Sequence, residues 1–167
     1  MMRARLEKIM SQVTIDTLEK LAFLFAFPGE DDGSRPWDPM TTVRVSFSGP
    51  FSGFLAMTVS TGVIEELTAN MLGLDDGEET TQDHRSDAIK ETMNVICGNL
   101  LPAIFGNEVI IDIDVPEVLP PDQETEKGAE IPGGLEPSAK VTLDLYEGQC
   151  VLFLFLDAGI AEDIVLP

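Results

Sequence analysis

Apolar residues recur at helical spacing near the start of the chain. Leu6, Met10, Val13, Leu18, Leu21 and Leu24 share one side, and Pro28-Gly29 follows them. This predicts a helix over 4–27. Residues 29–42 are rich in Gly, Pro, Asp and Ser and predict a loop, with Trp37 anchored beneath it. At Val43 the period drops to two, which predicts a strand over 43–48 with one wet face. Gly49-Pro50 and Gly53 turn the chain, and 54–59 returns as the second strand of a hairpin. Ser60 or Thr61 caps a short helix, Val63 to Met71, and an acidic turn over 73–79 follows. The cleanest helical period runs from Gln82 to Phe105. Pro102 lies inside it and cannot donate to the carbonyl of Gly98, which predicts a kink or a new segment. Residues 109–115 predict a strand with Ile111, Ile113 and Val115 on one face and Asp112 and Asp114 on the other. Residues 119–138 predict a long mobile loop. A final hairpin follows, Lys140 to Tyr146 and Cys150 to Leu156, and Ile160 to Leu166 adds a short turn.

The two hairpins resemble one another in pattern, and each is followed by a glycine, Gly62 or Gly159. This hints at a degenerate internal repeat. Strands and helices do not alternate regularly. The fold class is therefore α+β: a largely antiparallel sheet built from two hairpins plus a middle strand, with helices packed on it. The 167 residues suffice for one domain, 1–167, with the 29–42 and 119–138 loops as internal excursions.

Charge narrows the function. The chain holds 30 Asp and Glu against 10 Lys and Arg, a net charge of −20. That balance argues against nucleic acid and against anionic membrane surfaces as partners, since both require basic patches. The longest N-terminal apolar run, Leu21 to Phe27, is too short to span a bilayer and lies behind charged residues, so a cytoplasmic protein is expected. Cys97 and Cys150 have neither metal-ligand nor redox spacing and read as small core residues.

Several chemistries lack their residues. His84 is the only histidine, in a polar stretch that reads as a helix start, so no histidine-rich metal site can form. No nucleophile elbow, phosphate-binding loop or dinucleotide fingerprint is present. Asp112 and Asp114 could hold a cation, but strand alternation accounts for them, and no metal site is expected. One helix face remains. Ile89, Met93, Ile96, Leu100 and Ala103 form the apolar stripe of the 82–105 helix, while Asp87, Glu91, Asn94 and Gly98 fall opposite, at i, i+4, i+7 and i+11. Acids at i and i+4 repel, Asn is a poor helix former, and Gly is worse. Taken alone, such a face is an ordinary solvated surface. Its run of locally unfavourable choices marks it as a candidate site.

The string Asp87-x3-Glu91-x2-Asn94, with Pro116 about twenty residues on, resembles the CheC/CheX phosphatase family of bacterial chemotaxis. The order of elements over about 43–118 matches that family too. The resemblance implies hydrolysis of the phospho-aspartate of a CheY-like response-regulator receiver domain. It implies that Asn94 orients the attacking water and that Glu91 pairs with a receiver lysine. Asp87 and Gly98 would support docking, and Pro116 would shape a nearby strand end. No cofactor of its own is implied; Mg²⁺ belongs to the phosphorylated receiver. Only one copy of the motif is present, which is nearer to CheX than to CheC and implies a homodimer. The alternative is a non-catalytic receiver-binding or dimeric adaptor module of the same fold.

Overall fold

The computed structural model describes residues 2–30, 40–75, 78–119, 124–125, 128–129 and 136–157. Three helices lie among them: α1 (Met2–Ala22), α2 (Thr61–Leu72) and α3 (Gln82–Phe105). The strands are β1 (Phe27–Pro28), β2 (Met40–Ser48), β3 (Gly53–Ser60), β4 (Asp112–Ile113), β5 (Glu117–Val118), β6 (Glu124–Thr125), β7 (Gly128–Ala129), β8 (Ala139–Leu145) and β9 (Gly148–Leu156). The main sheet runs β1-β8-β9-β3-β2-β4, with β5 also on β2, and every pairing is antiparallel. The α+β class and the two hairpins expected from sequence are both present.

The arrangement of strands is near two-fold. β3 and β9 pair at the centre, from Gly53↔Leu156 to Val59↔Cys150. Outside them lie their hairpin partners β2 and β8. At the edges the halves cross over: β1, which follows α1, pairs with β8, while β4 and β5, which follow α3, pair with β2. The similarity of the two hairpins thus has a counterpart in topology.

One face of the sheet is covered by the helices. Val43, Val45, Leu55, Met57, Leu143, Leu152 and Leu154 meet Leu6, Met10 and Leu18 of α1, Val63 and Leu67 of α2, and the α3 stripe. Each such side chain, fully buried, contributes roughly 1.5–3 kcal/mol. The other face is drier than alternation alone suggests. Ala56, Phe153 and Phe155 are buried there, with Phe54 stacked on Phe155 at 4.3 Å. The Arg44 guanidinium sits 5.8 Å above the Phe54 ring, and the Lys140 ammonium 5.5 Å above that of Phe153. β7 packs against β3. Both edges of β3 are paired and its inner face is filled by helices, so β7 reaches it on the outer face. Part of the segment expected to be a mobile loop is therefore a short hairpin against the sheet.

Local differences from the expected elements have identifiable causes. α1 stops at Ala22, not at residue 27: Phe23 turns left-handed at φ 55, and Asn70 on α2 donates to the Ala22 carbonyl at 2.8 Å. Beyond it the chain is extended, with Leu24 and Ala26 buried and Phe23, Phe25 and Phe27 exposed. Pro28-Gly29 does not end a helix. Pro28 pairs with Leu143, and the Gly29 N–H donates to the Thr142 carbonyl at 2.9 Å. The 109–115 strand is not continuous. Two short pairs on β2 flank residues 114–116, with Ile110 and Val115 exposed. β2 begins at Met40, three residues before the alternation is clean. Trp37 and Ile160 to Leu166 lie outside the described residues.

Ser60 does precede α2, but its hydroxyl makes no cap bond. It accepts from the Gln149 N–H at 2.9 Å, tying α2 to β9. Glu66 on α2 holds its proton more tightly than a free carboxyl. Partial burial disfavours the anion, and Glu147 in the β8–β9 turn repels it. A raised acid pKa means that the folded state binds more protons, so stability falls as pH climbs from 4.5 through the raised value. Glu66→Gln is expected to remove that decline and to raise Tm at neutral pH. Thermal melts from about pH 4 to pH 8 measure it.

Candidate functional site

α3 positions the candidate residues, and its ends are fixed. Thr81 caps it: its Oγ1 accepts from the His84 N–H at 3.1 Å, and His84 Nδ1 accepts from the Thr81 N–H at 3.4 Å. Arg85 holds the preceding segment, donating to the Thr80 carbonyl and hydroxyl at 2.8 and 2.9 Å and to Gln82 Oε1 at 3.1 Å. Ile89, Met93, Ile96 and Leu100 are at most 1% exposed, which fixes the rotation of the helix about its axis. α3 runs unbroken to Phe105, so Pro102 neither ends it nor starts a new segment. Pro102 sits in the last turn, where Gly106 donates back to the Pro102 carbonyl at 2.9 Å.

With the stripe buried, Asp87, Glu91, Asn94 and Gly98 all face solvent, on a line about 16 Å long. Neither Glu91 nor Asn94 makes a side-chain hydrogen bond or ion pair within the described residues. Both are available to a partner. Gly98 has no internal reason to be glycine: a Cβ built there meets nothing within 4 Å. Its carbonyl is unusual too, because Pro102 lacks the N–H that would bond it. The face therefore carries a carboxylate and a carboxamide side by side and exposed, with a glycine one turn on.

Pro116 lies half-buried in the break between β4 and β5 and is not on this line. Two residues on, Val118 lines a cavity of about 140 Å³ with Ser86 and Ile89 of α3. The structure thus brings the segment after Pro116 to the start of α3. The other flank of the face was not anticipated from sequence. Val95 and Asn99, the next positions around the helix, line a groove of about 420 Å³ with Val13, Asp16, Lys20 and Leu21 of α1. Periodicity places Val13 and Leu21 in a core stripe, and only the packing of α1 against α3 shows that they also line a groove.

Cys97 and Cys150 are buried, and burial pushes both thiols up to about 12. Among the described residues no group of three or more His, Cys, Asp or Glu is placed to hold a metal ion, and no helix is long and apolar enough to cross a membrane.

A family model described as chemotaxis phosphatase CheX matches residues 41–130, which include all of α3 and Pro116. The chain belongs to the CheX family. Solved structures share its fold at low identity. CheX of Vibrio vulnificus is 19% identical with a TM-score of 0.68, over 93% of this chain and 98% of that one. CheX of Desulfovibrio desulfuricans is 16% identical with a TM-score of 0.66, over 92% and 99%. CheX in a CheX–CheY–BeF₃–Mg²⁺ complex from Borrelia burgdorferi is 10% identical with a TM-score of 0.59, over 89% and 96%. No curated protein matches the sequence.

Because Gly98 meets nothing, its substitution isolates backbone propensity. Gly98→Ala is expected to stabilise the protein by about 1 kcal/mol, read as a higher denaturation midpoint with an unchanged slope. A destabilised variant would show that the glycine serves internal packing.

Proposed function

We propose that this CheX-family chain hydrolyses the phospho-aspartate of a CheY-like receiver domain through the exposed α3 face. The observation that carries the reading is that Glu91 and Asn94 are exposed, adjacent and without partners among the described residues. The CheX–CheY complex among the structural neighbours supports a receiver as the partner. The receiver brings Mg²⁺ and a lysine, so the enzyme need only supply orientation. Asn94 accepts a hydrogen from a water and aims its oxygen at phosphorus. The P–O bond to the aspartate breaks as the water bond forms, which releases phosphate and restores the carboxylate. A carboxamide suits the position, because it both donates and accepts and adds no charge beside the phosphoryl group. Glu91 pairs with the receiver lysine and sets the register of docking. Asp87 lies at the rim, and Gly98 permits close approach. Pro116 shapes the β5 end beside α3. No cofactor is assigned to the chain itself, and it acts in the cytoplasm, where receivers work.

Phosphate release from a phosphorylated receiver tests this. Asn94→Ala is expected to lower kcat by about 100-fold or more with KM little changed. Glu91→Ala is expected chiefly to raise KM. Turnover that survives Asn94→Ala would remove the assigned mechanism. Binding with no acceleration by the wild type would make the chain a docking module and not an enzyme.

The active form is proposed to be a homodimer. Phe23, Phe25 and Phe27 are 73%, 64% and 64% exposed beside the edge strand β1, an apolar row that a second copy would cover. Phe25→Glu is expected to shift sedimentation from dimer to monomer while leaving the α3 face intact.

A further inference from the structure

We infer that the groove between α1 and α3 is a second contact for the receiver, seating one of its apolar side chains, and that Asp16 and Lys20 select among receivers by charge. This rests on the α3 face being the docking face. The first consideration is size. The exposed line from Asp87 to Gly98 is about 16 Å long and about one helix, 10 Å, wide. Such a strip offers far less than the roughly 800 Å² per partner of a standard protein interface, and less than a transient one uses. A partner whose phosphoryl group reaches Asn94 must therefore rest on neighbouring surface.

The two flanks differ. On the side toward β5 the cavity is small, about 140 Å³, and its one cation, Arg85, is already held by Thr80 and Gln82. On the α1 side the groove is about 420 Å³ and begins at Val95 and Asn99, directly beside Asn94 and Gly98. Val13, Leu21 and Val95 are its apolar members, and Asp16, Thr17, Lys20 and Asn99 its polar ones. Gln12 Nε2 holds Asp16 Oδ1 at 3.1 Å, and no ion pair joins Asp16 to Lys20 one turn on. The two charges are thus separately available. A largely apolar lining flanked by an anion held only by Gln12 and a cation outside any ion pair among the described residues fits a protein side chain flanked by charge, better than a small polar metabolite. In a chain of net charge −20, Lys20 also offsets repulsion from the acidic pocket of a receiver.

Lys20 is exposed, so Lys20→Glu tests the groove without disturbing packing. The assay is steady-state phosphate release from a CheY-type receiver phosphorylated with acetyl phosphate. Lys20→Glu is expected to raise KM about tenfold and to leave kcat within about twofold, and Val95→Ala to raise KM by a smaller factor with the same kcat. Lys8→Glu makes the same charge change on α1 about 18 Å away and is expected to move KM by no more than about twofold. If the wild type turns over and neither groove variant changes KM, the groove is not a contact and the α3 reading stands. If Lys8→Glu matches Lys20→Glu, long-range charge explains the effect and the groove assignment falls. If the wild type neither binds nor accelerates any receiver, the α3 reading fails and the groove contact fails with it.

Discussion

β3 and β9 run antiparallel at the centre of the sheet, and the remaining architecture hangs on that pairing. It joins two hairpins that are distant in sequence. On the inner side, Leu55 and Met57 with Leu152 and Leu154 form the floor on which the helices rest. On the outer side, Ala56, Phe153 and Phe155 are buried as well. Gly53 permits the close approach at one end, where any Cβ would strike the Phe155 carbonyl. A strand pair dry on both faces has one stable register, because a one-residue slip would exchange the side chains fitted to the helices for those under β7. That register sets where α3 lies, and the stripe of α3 sets which way Glu91 and Asn94 point.

The parts legible in the sequence are those decided locally. The bounds of α3 could be read from its period, and its open face from the four polar or small positions opposite the stripe. Tertiary partners decided the rest. Leu21 and Leu24 fit a helical period as well as an extended chain fits Phe-Leu-Phe-Ala-Phe, and the pairing of Phe27 with Asp144 chose between them. Residues 109–115 alternate like a strand, yet β2 accepts only Asp112–Ile113 of them and resumes pairing at Glu117–Val118, beyond Pro116. The α1–α3 groove could not be read at all, because its walls come from segments about 80 residues apart and each looks like ordinary core edge.

The candidate site asks little of the fold beyond rigidity. Asn94 sits on a helix whose rotation is locked by four buried side chains and whose start is locked by a reciprocal cap, so its carboxamide is aimed by the scaffold and not by its own contacts. With no side-chain partner among the described residues, Asn94 keeps its hydrogen-bonding capacity open.

The crossing of edge strands has a consequence for how the chain reaches this state. β1 finds its partner in β8 more than a hundred residues later, and β2 is closed by strands that follow α3. Neither half can complete its sheet before the other exists. Loops that long make the closing contacts slow to form, and they cannot form in order of synthesis. On a ribosome, β1 must wait until β8, which ends at Leu145, has emerged before it can pair. The sheet is therefore completed only after most of the chain has been made.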